Sequence, residues 1–354
     1  MSLPRILHVV DRTTGGVPVA VQSYMSVTPD VEHQVIRPLA GSESHAAWCA
    51  LSSQQLDLGL GHVRRIARVR RAVQKLRPHA VHAHSSFAGV YTRLACLGTR
   101  TRVVYSPHCF KFDDPAASNL LRRLARGAES VLSRATSAFA VLSEHELSLA
   151  RSLGAEAELI YIPNIPSVPA RSEEGSPAAP DSRKVVSMVG RIAPQKGPDF
   201  FIAVKQATTT AEQLEWLWIG DGDAKWRCKL ESAGVQVTGW LRGSDLVAQL
   251  DRTSLYLHTA EYEGFPLSVL DAAARRVAIV ARAIPALTAT PLTTVATPQE
   301  ASDLIAAVLE DRNALSVLAD NGDRMLERMN ADNQRRALLR AWAVTERAPE
   351  PCPA

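Results

Sequence analysis

The sequence predicts an α/β protein of two domains, each a parallel sheet with helices on both faces. Short apolar runs alternate with longer amphipathic stretches along the whole chain, the pattern of repeated strand–helix units. At 354 residues the chain exceeds the size at which one hydrophobic core usually stops growing. Between two similar alternating sets lies Pro166 to Asp181, where Pro166, Pro169, Pro177 and Pro180 stand amid Ser, Ala, Glu and Gly, and this reads as a linker. The expected layout is a first domain over 1–165, a linker over 166–182 and a second domain over 183–330.

Taken in order, the first half places strands at Ile6–Val10, Gln34–Pro38, Ala80–His82, Arg102–Ser106, Ala138–Leu142 and Glu158–Ile162. Gly15-Gly16 follows the first strand and precedes Pro18, which opens a helix well; the pair either approaches a ligand or forms a plain turn. From His62 to Arg77, Arg64, Arg68, Arg71 and Lys75 recur at helical spacing on one side, and Ile66, Val69, Val73 and Leu76 on another. Asn119 to Arg134 is a second amphipathic helix, with Leu120, Leu121, Leu124 and Val131 set against Arg122, Arg123 and Arg126. The second half gives strands at Val185–Val189, Glu215–Ile219, Val235–Thr238, Ser254–His258 and Ala278–Ala281, and a helix near Asp332–Glu346.

Composition narrows the function classes. Hydrophobic residues make up 46%, which suits a globular protein with ample core. No apolar run approaches the roughly 20 residues that span a membrane, and Ile6–Val10 lacks the charged start and cleavage pattern of a signal peptide, so a cytoplasmic protein is expected. Five scattered cysteines without a Cys-x-x-Cys pair fit a reducing compartment and no zinc site. Residues 1–170 carry net charge +7 and the remainder −3. The basic faces of His62–Arg77 and Asn119–Arg134 are either ordinary solvated surfaces or attract an anionic membrane surface or lipid pyrophosphate. Nucleic acid is not expected as a partner, because aromatics are 5% of the chain and do not interleave with the basic residues.

The chemistry concentrates in two segments of the second half. Glu263-Gly264-Phe265-Pro266-Leu267-Ser268-Val269-Leu270-Asp271 sets two carboxylates around a helix start. Gly264 supplies a turn, Pro266 a favoured first helical position, and the helix begins near Leu267 with free N–H groups suited to a phosphate. The carboxylates would accept hydrogen bonds from neutral hydroxyls on either side of it. About 70 residues earlier, Gly190-Arg191 and Lys196-Gly197 follow a strand, and two cations beside a diphosphate offset the charge that grows as it leaves. His108, after Pro107, ends a strand. His82 and His84 share a strand face, but no further metal partner is placed, and Asp221-Gly222-Asp223 reads as a strand-end turn rather than a metal motif. No metal and no cofactor is expected.

With Gly190-Arg191, Gln195-Lys196-Gly197, Gly220-Asp221-Gly222, Glu263 to Pro266 with Asp271, and the weaker Gly15-Gly16, His82 to Ser85 and Ser106-Pro107-His108, the chain resembles glycosyltransferase family four, a retaining group of GT-B fold. The resemblance implies that Arg191 and Lys196 grip the diphosphate of a nucleotide sugar, in a cleft between the domains. Glu263 with the backbone of Gly264, Phe265 and Pro266 would hold the sugar, with His108 contacting it. Leu267 and Ser268 would give N–H groups to phosphate, and Gly15, Gly16, Gly190 and Gly220 would line the donor site. Asp271 stands where the family has a ribose-binding glutamate. Arg276, Ala278 and Asn164-Ile165 also depart from the usual pattern. The implied activity is metal-independent, retaining transfer of a hexose from a UDP or GDP sugar to a glycan or lipid-linked acceptor in polysaccharide or glycolipid synthesis, at the inner membrane face. The implied C-terminal helix, 331–354, crosses back to the first domain. The alternatives are a noncatalytic nucleotide-sugar-binding protein and a nucleotide-sugar epimerase of the same fold. An NAD oxidoreductase is disfavoured by the lack of Gly-x-Gly-x-x-Gly after the first strand.

Overall fold

The computed structural model describes residues 3–39, 45–154, 156–171 and 184–345. The chain divides into two compact units, Met1–Pro163 with Ala331–Ala354, and Asn164–Asn330.

The first unit holds seven parallel strands, β1 (Arg5–Val10), β2 (Glu32–Arg37), β3 (Gln54–Asp57), β4 (Ala80–His84), β5 (Arg102–Ser106), β6 (Ala138–Val141) and β7 (Glu158–Tyr161). Their order is β3-β2-β1-β4-β5-β6-β7. Central strands such as β4 are buried at every position because helices cover both faces, and β4 carries His82 and His84 among its small apolar residues. The strand β3 was not expected from the sequence. It is polar and partly exposed because it lies at the sheet edge, where one side needs no apolar partner.

The helix Ala331–Trp342 completes this unit. Leu338, Leu339, Ala341 and Trp342 are buried against Ile6, Tyr24, Val104 and Ala138. Removing a buried Trp side chain of this kind costs about 3–5 kcal/mol. Gln334 is fully buried, accepting from Ser23 Oγ at 2.7 Å and donating to the Pro163 carbonyl at 2.8 Å. The helix stops at Trp342, short of the expected end, and Glu346 lies outside the described residues.

The second unit has six parallel strands, β8 (Val185–Val189), β9 (Glu215–Ile219), β10 (Gln236–Val237), β11 (Leu255–His258), β12 (Ala278–Arg282) and β13 (Thr293–Val295), in the order β10-β9-β8-β11-β12-β13. Three-residue β13, at the edge, is too short to show a pattern in sequence. In both units the order reverses between two central strands, β1 and β4 or β8 and β11. Loops diverge at such a point, and a crevice opens beyond the carboxyl ends of the strands.

The opening of the expected linker is fixed to the second unit. Arg171 N–H donates to the Ala274 carbonyl at 2.8 Å and Arg275 Nη1 to that of Pro169 at 2.9 Å. Residues 172–182 of that expected linker lie outside the described residues.

Candidate functional site

At the carboxyl edge of β8 and β11, three loops are drawn together by glycines. A Cβ on Gly220, where φ is +146°, would lie 2.1 Å from the Gly190 carbonyl oxygen. One on Gly197, at φ +64°, would lie 2.2 Å from that of Thr259. Glycine is therefore required at both positions for backbone to pack on backbone. Gly190 and Gly220 thus meet backbone to backbone.

The short turn Pro194–Lys196 is then tied to the loop after β11. Gln195 Nε2 donates to the Tyr262 carbonyl at 3.0 Å, Glu261 N–H to that of Gln195 at 2.9 Å, and Thr259 Oγ1 to that of Lys196 at 2.7 Å. This frame sets Lys196 Nζ in an ion pair with Glu263, both side chains largely buried at 19% and 12% exposure. An ammonium has three protons, so pairing with one carboxylate oxygen leaves donors for an anion. Arg191 is exposed and makes no ion pair with any described residue.

Immediately after Glu263, Gly264, Phe265 and Pro266 are buried and lead into the helix Leu267–Ala274. No side chain caps this helix and no acid lies in its first turn, so its N–H groups and positive dipole end are uncompensated. Leu267 and Ser268 are partly exposed there, and Tyr256 donates to Ser268 Oγ at 2.8 Å. His258, fully buried at the end of β11, leaves Nε2 without a partner, and burial pushes its pKa well down. Asp221-Gly222-Asp223 is a turn and cap. Asp221 pairs with Arg227 at 2.9 Å, and Asp223 caps the helix Ala224–Ser232.

Asp271, expected to bind ribose hydroxyls, is held by Ser167 in this structure. It is 4% exposed, with Oδ1 accepting from Ser167 N–H at 2.5 Å and Oδ2 from Ser167 Oγ at 2.9 Å. Burial raises its pKa to about 6, against those hydrogen bonds. The carboxylate thus clamps the chain at Ser167 to the helix instead of standing open to a diol. An aspartate, one methylene shorter than glutamate, reaches this near neighbour.

The first unit has its own constellation at the carboxyl edge of β1, β4 and β5. Gly15, at φ +87°, leads into the helix Gly16–Ser26, which also lacks a capping side chain. Ser85, at φ +80°, donates to the Asp11 carboxylate. His108 and Cys109 follow β5 at φ +51° and +88°, left-handed conformations that non-glycine residues adopt at a cost of about 1–3 kcal/mol each. Glu146, 1% exposed, holds this bend by accepting from Cys109 N–H at 2.5 Å while also accepting from Leu142 N–H at 2.9 Å, and burial lifts its pKa to about 7.

Behind His108 runs a file of buried histidines. His108 Nε2 is 3.2 Å from His84 Nδ1, His84 Nε2 is 3.1 Å from His8 Nδ1, and His8 Nε2 is 3.1 Å from His33 Nδ1. His33 Nε2 ends the file 3.0 Å from Thr28 Oγ1 and 3.1 Å from the Thr28 carbonyl oxygen. His82 stands beside it, accepting at Nδ1 from Trp342 at 3.2 Å and facing Ser106 Oγ at 2.9 Å. Burial depresses the pKa of each of these five rings, that of His33 to about 4.

The structure thus pairs Lys196 with Glu263 and packs Gly220 on Gly190 in the second unit, with Arg191 one residue after Gly190, while Gly15-Gly16 follows β1 and His108 follows β5 in the first. Sequence reasoning missed Asp11, Glu146, His8 and His33. The available signal was a histidine at alternate positions of neighbouring strands. It becomes legible only once His8 is known to lie beside His82, and Val10 beside His84.

Comparison with known proteins fits this picture. The family description "Glycosyl transferase 4-like domain" matches residues 9–164, and "Glycosyl transferases group 1" matches residues 183–311. A GDP-mannose-dependent alpha-mannosyltransferase of Mycolicibacterium smegmatis is 29% identical over 162 residues, 45% of this chain. The chain covers about two fifths of that relative's length, 41%. Among solved structures, Anabaena HepE in complex with UDP-glucose aligns with TM-score 0.78 at 17% identity, over 96% of this chain and 99% of its own. Sucrose-phosphate synthase from Thermosynechococcus elongatus aligns with TM-score 0.79 at 15% identity, over 96% and 98%. With two matched regions that between them take in most of the described residues, and with two parallel-sheet units of GT-B type, the chain belongs to the family-four-like glycosyltransferases.

Proposed function

We propose that the protein is a retaining, metal-independent glycosyltransferase that moves a hexose from a UDP or GDP sugar to a hydroxyl of a glycan or lipid-linked acceptor. The observation that carries this reading is the buried Lys196–Glu263 pair set beside an uncapped helix start, with Arg191 unpaired nearby. Lys196 and Arg191 hold the diphosphate together with the N–H groups of Leu267 and Ser268. Glu263 accepts from sugar hydroxyls, and the backbone of Gly264, Phe265 and Pro266 lines the sugar. In the first unit, His108 contacts the sugar and Gly15-Gly16 approaches phosphate or acceptor.

In the reaction the bond between the anomeric carbon and the diphosphate oxygen breaks, its electron pair passing to that oxygen. The acceptor oxygen bonds to the same face of the carbon, and its proton goes to the departing phosphate. Arg191 and Lys196 stabilise the charge that develops, an effect worth about 3–4 kcal/mol for one well-placed donor. UDP-glucose and GDP-mannose are both carried as donors, after HepE and the mycobacterial relative.

No described helix is long and apolar enough to cross a membrane. Leu120, Leu121, Leu124 and Val131 of the helix Asn119–Ser133 are 46–68% exposed, beside the exposed Arg123 and Arg126. This apolar and basic face supports peripheral contact with an anionic membrane, where a lipid-linked acceptor would reside. The helix His62–Leu76 supports it less, since its apolar side packs inward and Arg68 pairs with Asp57 at 2.7 Å.

The first test is thermal stabilisation by nucleotides and nucleotide sugars with EDTA present. A ligand at 100 times its Kd adds about 2.7 kcal/mol of stability. Stabilisation by one base family, followed by release of the nucleoside diphosphate when acceptor is added, is the expected result. Stabilisation without release would favour a binding protein, and release without acceptor an epimerase. No stabilisation by any nucleotide would overturn the donor site.

A further inference from the structure

The order of protons along the histidine file is fixed by its inner end. Thr28 Oγ1 gives its own proton to the Tyr24 carbonyl at 2.7 Å, and the Thr28 carbonyl oxygen only accepts. His33 Nε2 faces both, so it carries the ring proton, and His33 Nδ1 is left as a lone pair. His8 must then donate from Nε2 and accept at Nδ1, and His84 must do the same. The last link makes His108 the donor from Nε2, which leaves Nδ1 of that ring a lone pair. No described residue bonds to His108 Nδ1, and the residue is half-buried.

The file also explains its residues' placement. His33 on β2, His8 on β1 and His84 on β4 lie on one face of adjacent strands, and His108 follows β5. His8, His33 and His84 are 0–3% exposed, and Tyr24 and Trp342 pack their rings against the file. A set of neutral polar rings kept this deep is tolerated because each makes two hydrogen bonds.

We propose that His33, His8 and His84 are positioning residues which, anchored on the Thr28 carbonyl, hold His108 in the Nε2–H tautomer so that Nδ1 accepts a hydrogen bond from a ligand hydroxyl. The ligand side of this statement rests on the proposed contact between His108 and a sugar, whereas the tautomer order does not. A lone pair at Nδ1 favours a hydroxyl there over a carboxylate or carbonyl, which brings no proton to share. The file thus contributes to substrate selection from three strands away.

A competing use of the same rings is metal binding, since ligand atoms of His8, His82 and His84 lie within 4.8 Å of one another. Zinc needs deprotonated nitrogens at about 2.0–2.1 Å. His84 Nε2 carries the proton shared with His8, and both nitrogens of His82 already face Trp342 and Ser106.

The test is long-range nitrogen–proton NMR on full-length protein labelled at histidine nitrogens, at pH 7 and without added metal. The expected spectrum of His8, His33, His84 and His108 has a proton on Nε2 and none on Nδ1. A proton on Nδ1 of any of them overturns the proposal, and so does one tightly bound metal ion per chain by elemental analysis. His84→Asn puts an amide oxygen where Nδ1 stood and is expected to keep His108 in the same tautomer. His33→Phe removes the anchor and is expected to give a mixed His108 signal. In transfer assays with UDP-glucose or GDP-mannose, whichever stabilises the protein, His33→Phe should lower kcat/KM about tenfold, as loss of an outer partner that fixes a tautomer does, with His84→Asn close to wild type. If His108→Ala leaves transfer intact while the tautomer order holds, the sugar contact fails and the file stands. If His108→Ala abolishes transfer but the spectrum shows Nδ1–H, the file fails alone.

Discussion

Where β8 and β11 part, the chain sets a lysine against a glutamate beside an exposed arginine. Where β1 and β4 part, it sets five histidines, each driven toward the neutral form by burial. The strand order is the same over six strands of both sheets, the first adding β7 at its edge. Topology therefore supplies a place for chemistry, while the residues at the strand ends decide whether that place handles full charges or neutral hydrogen bonds. The charged edge is suited to a diphosphate. The neutral edge is suited to orienting hydroxyls.

The largest expected difference between the units is their response to acid. A histidine whose folded pKa lies below its ordinary value of 6.5 costs stability as pH falls below 6.5, because the unfolded chain takes up a proton that the folded one refuses. Each such ring costs at most about 1.4 kcal/mol per pH unit once its unfolded counterpart is protonated, so the first unit weakens as pH falls below 6.5. Glu146 opposes this. Raised from 4.5 to about 7, it favours the folded state as pH falls between those values, returning about 1.4 kcal/mol per unit. In the second unit the loss from His258 is matched below about pH 6 by the gain from Asp271. Hydrogen exchange at pH 7 and pH 5.5 should show protection collapsing in β1, β4 and β5 while β8, β9 and β11 hold. Equal loss in both units would erase the contrast.

Lys196→Ala strikes at the charged edge. Turnover should fall by about 10²–10³, measured as nucleoside diphosphate released, with the folded state retained by circular dichroism. Near-normal turnover in a folded variant would remove Lys196 from the mechanism.

A smaller effect separates clamp from ligand contact at Asp271. Asp271→Ala leaves the Ser167 N–H and hydroxyl without their acceptor and should destabilise the second unit by about 1–3 kcal/mol in urea unfolding. Asp271→Asn, which keeps an acceptor oxygen, should cost less. Unchanged stability together with weakened nucleotide binding would restore the ribose role.

The smallest effect concerns the outer surface of the first unit. Reversing Arg123 and Arg126 to Glu should weaken binding to vesicles containing phosphatidylserine by about 1 kcal/mol per cation removed, with transfer to a soluble acceptor unchanged. Identical vesicle binding would assign that face to solvent alone.

The sequence pointed to the second unit's candidate residues because their information is local. Gly190 to Gly197 and Glu263 to Ser268 each lie within one loop or turn, so spacing alone suggested their use. At Asp271 the sequence did not reveal the contact with Ser167, a residue 104 positions away. It failed more widely in the first unit. His33, His8, His84 and His108 are far apart in the chain, and only strand register and order make them neighbours. The strands read well where both faces are buried. They were missed where an edge permits polar residues, at β3, or where three residues suffice, at β13.

The helix Ala331–Trp342 has a consequence for how the protein is made. A ribosome finishes β1 to β7 early, but the surface of that sheet is covered only when Trp342 emerges, after the whole of the second unit. At about 5–20 residues per second, the intervening 167 residues take roughly 10–30 s. During that interval the nascent first unit presents His82, Tyr24 and Val104 to solvent or to a chaperone. The second unit, though later in the chain, is complete first, because the first still lacks its final helix. A chain stopped after Asn330 should therefore show a protected second sheet and an unprotected first by pulse-labelling exchange, and a fully protected first sheet would show that the final helix is dispensable.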